Sequence, residues 1–285
     1  MSGGGSHDIA WPVRVVSDLH LGHPASRITE VAMLRPLLEG AGTVVFNGDT
    51  CEQSYGPWRP GAEAHHEALR ALCGDLGVRP VFLTGNHDPR ISELGWLDLG
   101  EVFISHGDMI FPTSAPWSWE YIRNKERVHA ILRARDDGGG GDDLAHRYET
   151  VQELHAAMVP EAGPRRRTTD GGKYLLSALW PPERSLNMLR VWATMAGRAE
   201  RFVARYRPQC RVFLFGHFHR PGTWKRGPRL HVNTGSFMAA MPATVAEIDS
   251  SRLTVRRVEE RGGEFRAGGV RAERARGGPQ ESRNA

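Results

Sequence analysis

Five apolar runs in this chain each end in a cluster of metal-ligating side chains, and that repeated arrangement narrows the available folds more than any other feature. Arg14-Val-Val-Ser17 leads into Asp18-Leu-His20, Val44-Val-Phe46 into Asn47-Gly-Asp49, and Val81-Phe-Leu83 into Gly85-Asn-His-Asp88. Val102-Phe-Ile104 leads into His106-Gly-Asp108, and Val212-Phe-Leu-Phe215 into Gly216-His-Phe-His219. Short unbroken apolar runs suit strands covered on both faces. Ligand residues at the C-terminal tips of such strands collect on one sheet edge, where open α/β folds bind ligands. A set of Asp, His and Asn side chains there reads as a divalent-metal centre.

Helical patterns alternate with these strands. Residues 28–39 put Ile28, Val31, Leu34 and Leu38 on one face, and residues 62–73 do the same with Ala68, Leu69, Leu72 and Cys73. The alternation predicts an α/β fold. The rhythm breaks after Asp108. About 110 residues separate His106 from His217, too many for a plain connection. That stretch reads as helical over 117–135, 143–158 and 184–206, with loop signatures at 136–143 and 160–167. The expected organisation is therefore a core of 10–108 and 210–260 with a helical insertion or cap at 109–209. The cap carries Trp117, Trp119, Trp180 and Trp192, and is expected to act as a lid over the metal edge. Arg229–Ser236 predicts a further strand and turn, and 244–248 with 253–258 a hairpin around Asp249. Residues 261–285 are Gly/Arg-rich and nearly free of large apolar groups, which predicts a disordered basic tail.

Composition limits the alternatives. Three cysteines, Cys51, Cys73 and Cys210, without CxxC spacing argue for a reducing compartment and against a disulfide framework. No run of about 18 apolar residues occurs, and the first residues lack the charged and apolar regions of a signal peptide, so the cytoplasm is the expected location. Residues 1–108 carry 7 Lys/Arg against 14 Asp/Glu, whereas residues 211–285 carry 14 against 7. No interleaved aromatic and basic track of the nucleic-acid-binding kind is present, so nucleic acid is not the expected partner.

The order DxH, GD, GNHD, HGD, GHxH, running from Asp18 to His219 over about seven-tenths of the chain, resembles the calcineurin-like metallophosphoesterases. The resemblance implies two packed mixed β-sheets flanked by helices and a dinuclear site. Asp18, His20 and His219 would hold one ion and Asn86, His106 and His217 the other, with Asp49 bridging. His87 would stand beside the phosphate as a catalytic residue, and Asp88 and His231 would lie behind the ligands. Such a hydrolase splits a phosphate ester or pyrophosphate by attack of a metal-bridging hydroxide. Mixed oxygen and imidazole ligands favour Mn²⁺, with Fe, Zn²⁺ or Mg²⁺ as alternatives.

Within that family Ser17-Asp-Leu-His-Leu-Gly22, Gly48-Asp-Thr-Cys-Glu52, His106-Gly-Asp108 and the insertion are similar to the UDP-diacylglucosamine pyrophosphohydrolases, which cleave a nucleotide-linked lipid at the membrane surface. That branch carries Arg where this chain has His87 and the broad family has His. The implied substrate is a nucleotide-linked lipid, met peripherally at the inner membrane face. The alternatives are a phosphodiesterase or phosphatase acting on a soluble nucleotide or other small phosphoester, and a non-catalytic scaffold on the same fold. The remaining histidines, among them His23, His65, His66, His129, His146 and His155, are expected to be ordinary packed or surface residues. Neither Gly138–Gly141 nor Gly171-Gly-Lys173 fits a Walker A loop.

Overall fold

The computed structural model describes residues 9–54, 59–136, 143–158 and 182–276. Two mixed sheets lie face to face, with helices on their outer faces. The first contains β1 (Val13–Val16), β2 (Thr43–Asn47), β3 (Arg79–Leu83), β9 (Thr244–Ile248), β10 (Arg252–Arg261) and β11 (Glu264–Ala275), in the order β11-β10-β9-β1-β2-β3. The second contains β4 (Trp96–Leu99), β5 (Val102–Ser105), β6 (Val212–Phe215), β7 (Gly222–Arg226) and β8 (Arg229–Asn233), in the order β4-β5-β6-β8-β7. β1, β2 and β3 run parallel, as do β5, β6 and β8, so all five ligand-bearing loops leave on the same side.

The strand residues alternate between two dry layers, which is why their runs read as unbroken apolar stretches. Val13, Val15, Val45, Leu83, Ile104, Leu214 and Val232 fill the space between the sheets. Phe46 and Phe82 face outward under α1 (Arg35–Leu38) and α2 (Arg59–Asp75), packing with Leu37, Leu69 and Leu72. Each fully buried side chain of this size contributes roughly 1.5–3 kcal/mol. The sequence pattern over 28–39 gives a shorter helix than its periodicity predicts, a 3₁₀ turn at Val31–Leu34 followed by α1.

The expected insertion opens with turns over 109–118 and carries four helices among its described residues: α3 (Trp119–Arg123), α4 (Lys125–Asp136), α5 (Leu144–Met158) and α6 (Pro182–Tyr206). Trp180, the 160–167 joint, Gly138–Gly141 and Gly171-Gly-Lys173 lie outside the described residues. α6 is a flanking helix of the sandwich. Its Met195, Ala199, Phe202 and Val203 pack on Phe103 and Phe213, which face outward from β5 and β6.

The disordered tail expected from 261 is replaced, up to residue 276, by the second arm of a long hairpin. β11 pairs with β10 from Arg261↔Glu264 to Arg252↔Ala275, turning at Gly262 and Gly263 with φ of +60° and +78°. One large side chain anchors it: Phe265 is fully buried and meets the Phe237 ring edge-on at 5.2 Å. The remainder of that tail, from 277, lies outside the described residues. No helix among the described residues is long and apolar enough to cross a membrane.

Candidate metal centre

The strand tips bring their side chains together. The ligand atoms of Asp18, His20, Asp49 and His219 lie within 4.8 Å of one another, as do those of Asp49, His106 and His217. Asp49 is common to both groups, at the centre of the edge. His106 Nε2 lies 3.3 Å from Asn86 Oδ1, which places the amide beside the second group. Asp18, His20, Asp49, His106 and His217 are buried, whereas Asn86, His87 and His219 are partly exposed, so the edge opens on their side.

The loops reach this arrangement through unusual backbone. Asp18, His20, Asp49, His217 and His219 all have left-handed φ, between +50° and +68°. For non-glycine residues this conformation costs roughly 1–2 kcal/mol each, and it persists where surrounding bonds over-determine it. Those bonds are present. The His217 N–H donates to both Asp18 oxygens at 3.0 Å, and the His87 N–H donates to Asp49 Oδ1 at 2.8 Å. Asp88 accepts N–H bonds from Asp49, Thr50, Cys51 and Gly85 at 2.6–3.2 Å, tying two ligand loops together. Gly216 permits the closest approach, since a Cβ there would stand 2.1 Å from Asp18 Oδ2.

The donor set fits cations. Bonds of about 2.1 Å at roughly 90–110° would set neighbouring donors about 3.0–3.4 Å apart. His20 Nε2 and His219 Nε2 are 3.1 Å apart, His219 Nε2 and Asp18 Oδ1 3.3 Å, and His106 Nε2 and Asp49 Oδ2 3.4 Å. Among the described residues, no Lys or Arg pairs with Asp18 or Asp49. The imidazoles are also held in ligating orientation. His20 Nδ1 lies 2.8 Å from Glu52 Oε1 and His106 Nδ1 3.0 Å from the Asn47 carbonyl, so Nε2 is the nitrogen left to ligate in each.

Charge follows the same logic. Burial lowers the His20 and His217 pKa, His217 strongly, which keeps both imidazoles neutral, as ligands must be. Burial alone would raise Asp49, but His106, His87 and His20 outweigh it and hold the carboxyl well below the usual range. Conversely, burial opposes a charge on His106, yet Asp49 and Asp18 raise its pKa well above the ordinary value. A cation beside Asp49 competes with the His106 proton for one negative charge. Burial, followed by the Asp49 charge, pushes the Asp88 carboxyl up to about 7 despite its four N–H donors.

Glu52 ends the Gly48-Asp-Thr-Cys-Glu52 block, and its role emerges only from its contacts. Fully buried three residues beyond Asp49, it holds His20 with one oxygen and His87 Nδ1 with the other, at 3.0 Å. Burial would raise its pKa, but His87 and His20 draw it well below the carboxylate range. His87 Nε2 is left 3.9 Å from Asp49 Oδ2, on a side chain 20% exposed at the opening. Ser17, Thr234 and Ser236 also support Asp18: Ser17 Oγ donates to its carboxylate, Thr234 Oγ1 lies 2.6 Å from Ser17 Oγ, and Ser236 Oγ donates to its carbonyl at 3.1 Å.

One expected residue lies elsewhere. His231 does not stand behind the ligands; strand alternation turns it to the outer face of the second sheet, beside Phe213. There its Nε2 meets Glu200 of α6 at 2.7 Å. Its strand neighbour Asn233 is the residue that reaches back toward the site, donating to the Gly216 carbonyl at 2.6 Å. Cys51 is buried and its thiol pKa is pushed up by that burial, as suits a packed thiol.

No family model and no curated protein matches the chain. Solved structures with a related arrangement include Yfce, a phosphoesterase from E. coli, at 16% identity and a TM-score of 0.40, over 93% of this chain and 98% of that one. A dimetal phosphatase from Danio rerio matches at 11% and 0.43, over 88% and 96%. Vacuolar Protein Sorting 29 from Cryptosporidium parvum matches at 13% and 0.44, over 93% and 98%. Overlaps this loose do not bear on chemistry, which rests on the side chains described above.

Proposed function

We propose that this chain is a hydrolase that splits a phosphate ester or pyrophosphate bond with two divalent cations on the shared edge. The supporting observation is the donor geometry: two groups of ligand atoms at cation spacing with Asp49 common to both. Asp18, His20 and His219 would hold the first ion, Asn86, His106 and His217 the second, and Asp49 both. When bound, such ions polarise phosphoryl oxygens and make water nucleophilic at neutral pH. The chain supplies the rest. The strand tips fix the ligands, and burial excludes bulk water from all but the Asn86–His87–His219 side. Glu52 holds His87 by Nδ1 on a partly exposed side chain whose Nε2 lies 3.9 Å from Asp49 Oδ2, where it can hand a proton to the leaving oxygen or bond the phosphoryl group.

For the substrate we propose a nucleotide-linked lipid such as UDP-diacylglucosamine, met at the inner membrane face, with Mn²⁺ as the working ion. The support is the sequence likeness of the first, second and fourth ligand blocks, together with apolar residues on α6. Leu186 and Leu189 are 53% and 58% exposed on the helix that also carries Trp192. His87 favours the second reading, a phosphodiesterase or phosphatase for a soluble nucleotide or small phosphoester, because the lipid-cleaving branch carries Arg at that position.

One panel separates them: p-nitrophenyl phosphate, bis-p-nitrophenyl phosphate, a UDP-linked lipid and a cyclic nucleotide, each with Mn²⁺ or with chelator. Chelator-sensitive turnover is expected, and turnover of the lipid should respond to added detergent or liposomes. Absence of metal-dependent hydrolysis across the panel would sink the proposal.

A further inference from the structure

α5 reaches two loops of the metal edge with three side chains. The Arg147 guanidinium donates to the carbonyls of Met109, Phe111 and Pro112 at 3.1, 2.5 and 3.3 Å, gathering the loop that follows His106-Gly-Asp108. The Tyr148 hydroxyl lies 3.0 Å from Thr84 Oγ1, the residue just before the Gly85–Asp88 block. Two turns further on, His155 Nε2 lies 2.9 Å from Ser114 Oγ and 3.7 Å from Asp108 Oδ2. Residues 147, 151 and 155 share one helical face with 148 alongside, and the fully buried Val151 packs between the polar contacts.

The loop that Arg147 and His155 hold covers His217. Ser114 is fully buried in the left-handed region at φ +60°, a strained place for a residue with a Cβ. Its carbonyl lies 3.4 Å from His217 Nε2, and the Trp117 ring stands 5.0 Å from the His217 ring. Of the two His155 nitrogens only Nε2 has a partner; Nδ1 is buried and unpaired among the described residues. A buried polar atom left unpaired costs about 1–3 kcal/mol, so an apolar residue would serve better if this position only filled space.

We propose that α5 is a positioning element for the second ion. Through Ser114, His155 holds the loop whose carbonyl takes the His217 Nε2–H, leaving Nδ1 as the nitrogen that ligates. Arg147 keeps the same loop in place from its other end. The proposal rests on the two-cation reading above, and it assigns to the inserted helices a role in ion retention that the ligand motifs do not contain.

The test measures Mn²⁺ uptake by the full chain, by calorimetric titration and metal analysis, alongside hydrolysis of bis-p-nitrophenyl phosphate. His155→Ala should keep the first ion and weaken the second about 10–100-fold, the usual effect of losing a partner behind a ligand. His155→Gln, whose amide nitrogen can take the place of Nε2, should restore most of that affinity. Ser114→Gly keeps the carbonyl, relieves the φ, and removes the hydroxyl together with its Cβ. It should match His155→Ala, and the double variant should be no worse than either single one. A folded His155→Ala chain with two ions bound as tightly as in the unaltered chain overturns the inference. Should that variant fail to fold by circular dichroism, Ser114→Gly decides: unaltered affinity for the second ion overturns the inference equally. An unaltered chain that takes up fewer than two ions overturns the two-cation reading itself, a result distinguishable from the first two.

Discussion

Glu52 uses its two oxygens on two different histidines, and this divided use makes a sharp substitution available. Gln at this position offers one acceptor and one donor. If its oxygen serves His20, its amide faces His87 Nδ1 and inverts that ring's tautomer; the opposite choice puts the proton on His20 Nε2 and spoils a ligand. Glu52→Gln should therefore either lose the first ion or lower turnover, by about 10–100-fold in either case. Metal analysis combined with kcat shows which, and an unchanged enzyme on both counts refutes the shared role. His87→Ala is the companion: both ions retained and turnover down about 10²–10⁴-fold, as for loss of an acid or charge stabiliser. Loss of metal from that variant would make His87 a ligand. The ligand types were legible in sequence because each sits at the tip of an apolar run. The role of Glu52 was not, because a carboxylate three residues past Asp49 has no periodic signature, and its partners come from loops 32 and 35 positions away. His231 misled for the opposite reason: it lies two residues before Asn233, so the two share a strand face, yet only Asn233 stands at the strand end where a side chain can reach the loop.

The β10–β11 hairpin shows how an element can form with little apolar signal of its own. β11 reads Glu-Phe-Arg-Ala-Gly-Gly-Val-Arg-Ala-Glu-Arg-Ala, and its order comes from register with β10 plus one anchor, Phe265. That anchor meets Phe237 edge-on, and the Phe237 N–H donates to the Asp18 carbonyl at 3.1 Å, so the hairpin supports the metal edge from behind. Phe265→Ala should cost about 3–5 kcal/mol, read by denaturant unfolding; a loss below about 1 kcal/mol would show that the hairpin does not anchor there. The helical insertion was legible as helices from its 3.6-residue periodicity, but its position was not, because an amphipathic stripe does not say which face it covers. A detachable lid over residues 117–206 could be replaced by a short Gly/Ser linker and leave a folded core. α6 instead covers Phe103 and Phe213, so that replacement should abolish cooperative unfolding followed by circular dichroism. A linker variant that melts as sharply as the full chain would restore the lid.

Across the whole molecule, the metal carboxylates sit in its acidic part, where residues 1–108 carry 14 Asp/Glu against 7 Lys/Arg. Two divalent ions would offset part of that excess, and protons would compete with them for it. Asp49 is held well below the carboxylate range and His106 well above the imidazole range, each largely by the other once the opposing effect of burial is overcome. The signs then follow. The raised His106 contributes stability that is complete below its unfolded pKa and disappears as pH rises through the folded one. The depressed Asp49 contributes stability above its unfolded pKa and loses it as pH falls through its folded value. The ion-stripped chain therefore gains most from this pair between those limits and weakens on the alkaline side, where His106 gives up its proton. That same lost proton would open the lone pair to a cation, so added Mn²⁺ should bind more tightly there. Thermal melts in chelator and in Mn²⁺ at a series of pH values from about 6 to about 9 should show a gap in Tm that widens as pH rises. A gap that narrows over this range would mean that His106 and the ion do not compete for Asp49, and the second ion would have to be placed on other residues.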